Sequence, residues 1–556
     1  DIWQGLLHNV APLALATAIS TRTRPSTPLP PTQGRRDDSP TIVPGRRPTK
    51  KELTMKTHRL NGLLSALLLG LLLPKCGSAL NSIEVHGYKF FDSETGDEFV
   101  VKGVAYEPRP NSGILNMNSV DFFTDEHRHI WERDVQHLQS LGVNAIRLYA
   151  VDHTKNHDAF MCQMNAAGIY VLISLAMDCP TCAVTRDQAP DCYPQELKKQ
   201  GEAVINAFAK YPNVLGFSAG NEVNHYTPSG NPEWNGPCQR KFLRDMRHYI
   251  ASCPHMRKVP VGLVSADSER DAVSLYYNCE SDTNDPYENA EWFGLNSYLS
   301  CDGSIDNFED EGGFTDLVDS YESYNYSIPV MLTEFGCLSK TFPTIDGYQG
   351  QRTFQQARWL LENSQLRDQF AGGFVFEYSI ELQNAIAEVP YPFQQVGGQT
   401  YGIGYFSPEN CDDTNIPCKY NPEPCFDNLK HVYNSSSTRL LNLNDFAIPK
   451  HRQGRTKCPT NFTALSAYRW KADKVRDLKC PSKGPDSHFV CPANLNDLRV
   501  QRREPSQSLL VTLIQAILFV TVVSIIYSIL MKQVENMSIH AEKYIKNDPT
   551  WMTVVV

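Results

Sequence analysis

The chain has no surplus of positive charge. Its 52 Lys and Arg against 62 Asp and Glu leave a formal charge of −10 over 556 residues. The basic footprint that grips phosphate backbones is missing, which excludes nucleic acid as a partner. No glycine-rich phosphate turn follows the first predicted strand, so a doubly wound dinucleotide-binding sheet lacks its anchor. No internal repeat is present. His153 and His157 stand four apart, and Asp125-Glu126-His127-Arg128-His129 is rich in charge, yet neither has a further ligand at a zinc-site spacing. Both are expected to be solvated surface, with no metal and no other cofactor. Residues 1–54 lack a core-forming pattern, because 21–51 is dense in Pro, Arg, Ser and Thr. They read as an extension of the reading frame or a disordered leader.

Long apolar runs are confined to 55–79 and 509–531. Residues 55–79 begin with Lys56, His58 and Arg59, continue as a leucine-rich run and finish on Gly77-Ser78-Ala79. That is the pattern of a cleaved secretory signal, with the mature chain starting near Leu80. Residues 509–531 carry no charge, and at 1.5 Å per residue they reach about 34 Å, enough to cross a bilayer core. A glycolipid-anchor signal ends in its hydrophobic tail, whereas here the mostly polar residues 532–556 follow. The expectation is a single transmembrane helix at the plasma membrane, with the body outside and a short cytoplasmic tail. Asn325, Asn434 and Asn461 head N-x-Ser/Thr sequons on the outer side and are glycosylation candidates. Sixteen cysteines fit an oxidising compartment. Loss of Cys76 with the signal leaves an odd number, so at least one thiol has no partner within the mature chain. Cys179-Pro180-Thr181-Cys182 has redox-motif spacing, but in a secreted loop it reads as a structural disulfide.

The body alternates strand and helix patterns. After a hairpin with strands at 83–90 and 98–101, strands are predicted at 101–106, 145–150, 170–175, 214–217, 260–264, 292–296, 330–333 and 373–378. Amphipathic helices fall between them at 127–141, 159–167, 196–210, 239–251 and 353–361, and 426–433 supplies a closing helix. Eight strands with helical crossovers make an α/β fold, a (β/α)8 barrel over residues 80–434. Residues 435–508 hold Cys458, Cys480 and Cys491 with little apolar periodicity, and read as a cysteine-containing stalk.

Function is carried by two strand ends. Val214-Leu215-Gly216-Phe217 is a buried strand that delivers Asn221-Glu222, and Pro329-Val330-Met331-Leu332-Thr333 delivers Glu334. In a parallel barrel the carboxyl ends of the strands form the working face, so both glutamates open into one cleft. Two carboxyls across a cleft are what glycosidic bond cleavage requires. Asn221 is expected to hold a sugar 2-hydroxyl, Tyr298 to orient Glu334, and Arg147 to pair with it. Tyr106, Tyr149, Asn296 and Tyr378 sit at strand ends, where they either line sugar subsites or pack the barrel.

These residues resemble a known family. Val101-Lys102-Gly103-Val104-Ala105-Tyr106, Asn144-Ala145-Ile146-Arg147-Leu148-Tyr149, Gly220-Asn221-Glu222-Val223, Phe293-Gly294-Leu295-Asn296-Ser297-Tyr298 and Thr333-Glu334-Phe335-Gly336-Cys337 are similar, in order, to the fungal β-1,3-glucanosyltransferases of glycoside hydrolase family 72. The resemblance covers about residues 81–434. It implies that Glu222 is the acid/base and Glu334 the nucleophile of a retaining transfer between β-1,3-glucan chains. Hydrolysis alone, or a non-catalytic glucan-binding surface protein, are the alternatives. Spacing and resemblance together suggest Cys162–Cys192 and Cys253–Cys279 as disulfides. The chain departs from the family at Phe376-Glu377-Tyr378, where the family has Tyr-Glu-Tyr. It departs again at Ser174-Leu175-Ala176, where the family has Asp-Leu-Ser. Both changes touch substrate subsites and leave the glutamates alone.

Overall fold

The structure is a computed structural model. It describes residues 80–495, except 300–304, 306, 337–351, 383–384, 387–394, 397–400 and 438, together with isolated positions from 498 to 532. The chain opens with an antiparallel hairpin, β1 (Ile83–His86) and β2 (Lys89–Asp92). The predicted single strand over 83–90 is broken because Gly87 turns with φ +56, a left-handed conformation that glycine adopts without penalty.

Eight parallel strands then close into a barrel: β3 (Val101–Ala105), β4 (Ala145–Leu148), β5 (Tyr170–Ser174), β6 (Val214–Asn221), β7 (Val261–Ala266), β8 (Phe293–Asn296), β9 (Val330–Phe335) and β10 (Gly372–Val375). β10 pairs with both β9 and β3 and so completes the ring. Closure demands a glycine at Gly372. Its φ is +89, and a β-carbon there would lie 2.1 Å from the Val101 carbonyl oxygen. Val101, Ala145, Tyr170, Leu172, Leu215, Val264, Trp292, Met331 and Phe374 form the buried core, which Ile83 and Phe90 of the hairpin join.

The helices follow the strands: α1 (Arg128–Leu141), α2 (Asp158–Ala166), α3 (Gln195–Phe208), α4 (Gly236–Ser252), α5 (Arg270–Asn278), α6 (Gly312–Tyr324), α7 (Gln355–Glu362), the short α8 (Ser364–Gln369) and α9 (Pro424–Ser435). The apolar stripe of α1, with Ile130, Trp131, Val135, Leu138 and Leu141 buried, shows the 3.6-residue spacing that made it legible.

Residues 436–489 overturn the expectation of a separate stalk. They contain short 3-10 turns at Leu443–Asp445, Lys450–Arg452, Leu465–Ala467 and Lys471–Lys474 and belong to the same compact unit as the barrel. Cys480 is bonded to Cys253 at the end of α4, and Cys458 to Cys279 at the end of α5. Arg452 is buried against Asp368 and Gln369, and Phe446 packs on Tyr88 and Phe91. The stretch needs no periodic pattern, because most of its side chains are exposed or half-buried and, among its described residues, only Arg452, Trp470, Ala472 and Ser487 are buried. The same bonds correct the predicted Cys253–Cys279 pair. Cys192 is bonded to Cys238, not to Cys162, and Cys162 is itself in a disulfide. Cys179 and Cys182 are bonded to each other, as expected. Cys425 remains a buried thiol with the Arg352 guanidinium 3.7 Å from its sulfur.

Among the described residues no helix is long and apolar enough to cross a membrane. The predicted span 509–531, the tail 532–556 and residues 1–79 lie outside the described residues, apart from isolated positions.

Candidate active site

Both glutamates stand at the carboxyl ends of barrel strands. β6 runs four residues further than its apolar run suggested, because Asn221 pairs with Val264 past a local register shift. Glu222 follows with φ 51 and ψ 36, the left-handed region, uncommon for a residue with a β-carbon. Its N–H donates to the Val264 carbonyl at 2.9 Å, which fixes the turn. Glu334 is the last but one residue of β9 and is 5 % exposed.

The two carboxyls have different environments. Glu334 Oε1 accepts from Arg147 Nη1 at 2.9 Å and from Tyr149 Oη at 2.9 Å, and its Oε2 accepts from Tyr298 Oη at 2.7 Å. Two phenols and a guanidinium thus saturate its lone pairs on the strand side. Glu222 Oε1 accepts a single bond, from the Asn296 amide at 2.8 Å. Asn296 and Arg147 tie the halves together: both donate to Asn221 Oδ1, at 3.1 and 2.7 Å, and Thr333 Oγ1 donates to Asn296 Oδ1 at 2.8 Å.

Burial, and then the charge of Glu334, push the Glu222 carboxyl up to about 7, with Asn296 and Arg147 pulling the other way. Glu222 therefore holds its proton near neutral pH, as a general acid must. Burial and the Glu334 charge also lift the Tyr298 phenol well above its ordinary range. It stays a donor to Glu334 throughout the physiological range.

Five predicted site residues besides the glutamates converge here: Asn221, Arg147, Tyr149, Asn296 and Tyr298. Tyr106 and Tyr378 do not. Both are fully buried; Tyr106 donates to Asp134 of α1 at 3.0 Å, and Tyr378 stacks on Tyr420 with centroids 4.2 Å apart. They pack between barrel and helices, so the subsite reading is corrected. His157 is not solvated surface either. Its Nε2 lies 2.7 Å from Asp121 Oδ2 in a buried pair, one of the links that fix the loop after β4. No group of residues suited to hold a metal is found among the described residues. Of the sequon asparagines, Asn434 and Asn461 are exposed and Asn325 is partly so.

The sequence reading missed that Tyr149 bonds Glu334. Its position two residues after Arg147 was the available clue, since alternate residues of a strand share a face. Tyr401 was also missed. Its ring lies 5.2 Å from Tyr298 and 5.4 Å from Phe376. No local pattern marks it, because it comes from a loop.

Comparison with known proteins agrees with this geometry. The glucanosyltransferase family, glycoside hydrolase family 72, matches residues 72–389. The chain is 33 % identical over 309 residues to the 1,3-beta-glucanosyltransferase PGA4 of Candida albicans, covering 55 % of this chain and 61 % of that protein. It is also 33 % identical over 331 residues to GAS5 of Saccharomyces cerevisiae, covering 58 % and 62 %. It thus spans little more than three fifths of the length of these relatives. A Saccharomyces cerevisiae Gas2p mutant in complex with laminaritetraose and laminaripentaose aligns with a TM-score of 0.52 and 26 % identity, over 73 % of this chain and 75 % of that one. With more than half of its residues inside the family match, and the barrel and paired glutamates in place, the chain belongs to the glucanosyltransferase family, glycoside hydrolase family 72.

Proposed function

We propose that the protein is a retaining 1,3-β-glucanosyltransferase, acting on β-1,3-glucan at the cell surface. The observation that carries this reading is the asymmetry of the two carboxyls. Glu334 is ringed by three hydrogen-bond donors, while Glu222 has one and keeps a proton near neutral pH. Glu334 attacks the anomeric carbon as Glu222 gives its proton to the departing glycosidic oxygen. The glycosyl ester removes the negative charge of Glu334, the chief charge that raises Glu222. The proton affinity of Glu222 falls, and it then takes the proton of the incoming hydroxyl. A glucan hydroxyl gives an elongated chain; water gives hydrolysis. Asn296 and Arg147 keep Asn221 in place beside both groups, where its amide meets the sugar 2-hydroxyl.

Incubating the protein with reduced laminari-oligosaccharides and sizing the products tests the reading. Chains longer than the donor are expected. Shortened chains alone would reduce the activity to a β-glucanase, and no turnover would leave a glucan-binding protein. The uncharged stretch 509–531 supports attachment by a spanning helix. Phosphatidylinositol-specific phospholipase C should then leave the protein on the membrane, and release of the ectodomain would refute the span.

A further inference from the structure

Past Asn221 the strand that carries the acid leaves its neighbour. β6 pairs with β7 as far as Asn221 and Val264, and the Glu222 N–H still donates to the Val264 carbonyl at 2.9 Å. In a regular parallel ladder the bonds recur evenly, so Ala266 would next meet the Glu222 carbonyl and the N–H of residue 224. The backbone turns away instead. Glu222 takes φ 51 and ψ 36, and Val223–Tyr226 form a turn of 3-10 helix. The Glu222 carbonyl accepts from the His225 N–H at 2.9 Å. The N–H and carbonyl of Ala266 thereby lose their strand partners at a residue that is 7 % exposed. Buried backbone groups in folded proteins are nearly always paired, so a substitute is required.

The side chain of Asn224 supplies it. The Ala266 N–H donates to Asn224 Oδ1 at 3.0 Å, and Asn224 Nδ2 donates to the Ala266 carbonyl at 3.0 Å and to Ser268 Oγ at 3.2 Å. An amide side chain offers the same donor and acceptor as a peptide, and this one stands in for the missing strand residue. Asn224 is itself 6 % exposed. A second amide holds the turn from the other side: Asn235, just ahead of α4, donates from Nδ2 to the Val223 carbonyl at 2.9 Å. Ala266 pairs in register with Asn296 of β8, and the Asn296 amide is the donor to Glu222 Oε1 at 2.8 Å. A closed circuit therefore runs from Glu222 through the turn to Asn224, across to Ala266 and Asn296, and back to the Glu222 carboxyl.

We propose that Asn224 is a positioning residue for Glu222: its side-chain amide replaces the strand peptide opposite Ala266 and so holds the left-handed turn that aims the acid at the glycosidic oxygen. This rests on the reading that Glu222 is the acid/base. A residue with a β-carbon keeps the left-handed region only where its surroundings impose it, and Asn224 and Asn235 impose it from two sides. Asn224 acts through the backbone, since its amide is spent on Ala266 and Ser268. Asp has the shape without the donors, and Ala has neither donor nor acceptor, so neither can take its place.

The test separates the aim of the acid from the integrity of the fold by changing the leaving group. A glucan leaving group needs the proton of the acid, whereas 2,4-dinitrophenolate departs without it and asks only for the nucleophile. Asn224→Ala is compared with wild type and with Glu222→Gln in the full chain. The readouts are kcat/KM on laminaripentaose and the first-turnover release of dinitrophenolate from 2,4-dinitrophenyl β-laminaripentaoside. Asn224→Ala is expected to lose about 10–100-fold on laminaripentaose and no more than about 3-fold in dinitrophenolate release, a split of the same kind as in Glu222→Gln. Should Asn224→Ala not fold, Asn224→Asp takes its place, with the same split expected. Equal losses on both substrates, or wild-type rates on both, would overturn the proposal, while a split in Glu222→Gln would leave the acid reading standing. No split in Glu222→Gln would overturn the acid reading, and the positioning role with it.

Discussion

The proton on Glu222 makes a quantitative test possible through Asn296. Replacing Asn296 by Ala removes the amide that donates to Glu222 Oε1 at 2.8 Å. That bond favours the ionised carboxyl, so its loss must raise the proton affinity of Glu222. Taking about 1 kcal/mol for an amide donor at a half-buried group, the rise is about 0.7 pH unit. With Glu222 at about 7, about one wild-type molecule in ten carries the acid proton at pH 8, against about one in three in the variant. The absolute rate falls, because Asn296 also holds Asn221. The ratio of activity at pH 8 to that at pH 6 should nevertheless increase about 3-fold. The assay is kcat/KM on laminaripentaose from pH 5 to 9, which reports the free enzyme. An alkaline limb that stays in place or moves to lower pH would refute the assignment of Glu222 as the acid.

Glu222→Gln should cost about 10²–10⁴ in transfer rate and Glu334→Gln at least as much, measured by product sizing; near-normal activity in either would remove its role. Because the native state binds the Glu222 proton more tightly than the unfolded chain does, from the ordinary 4.5 up to about 7, stability falls as pH rises through that window. Glu222→Gln should therefore melt above wild type at pH 8 and show no such gain at pH 4, and a lower melting temperature at pH 8 would contradict the sign. Tyr298→Phe removes the hydroxyl that donates to Glu334 Oε2 and should lower kcat/KM about 10–100-fold, the range for a bond to a charged group, with thermal unfolding unchanged. A chain ending at residue 437 loses the disulfides of Cys480, Cys458 and Cys491, the first two spanning 227 and 179 residues, each contributing about 2–5 kcal/mol against a net stability of about 5–15 kcal/mol. It should be secreted poorly or aggregate, and a soluble, active product would show that 438–489 is dispensable.

The chain's own sequence determined the barrel and the identity of its two glutamates. Eight short apolar runs separated by amphipathic helices leave little choice of architecture, since a parallel strand needs a covered crossover on each side. Glu222 and Glu334 could be named because strand ends are local features and the barrel sends them all to one face. Tertiary structure decided the rest. Tyr106 follows its strand directly, as Tyr149 does, and Tyr378 comes three residues after β10, but the side chains of Tyr106 and Tyr378 meet Asp134 and Tyr420 while Tyr149 meets Glu334. The disulfides escaped the sequence because cysteines pair by the distance between folded elements. Cys253 and Cys279 each found a partner about 200 residues downstream, on a segment with no periodicity to announce where it would lie. The grip of Asn224 was invisible for the same reason: its amide meets Ala266 only where β6 turns away from β7. Local pattern fixes the elements, and only the closed ring fixes where they end and which of those ends meet.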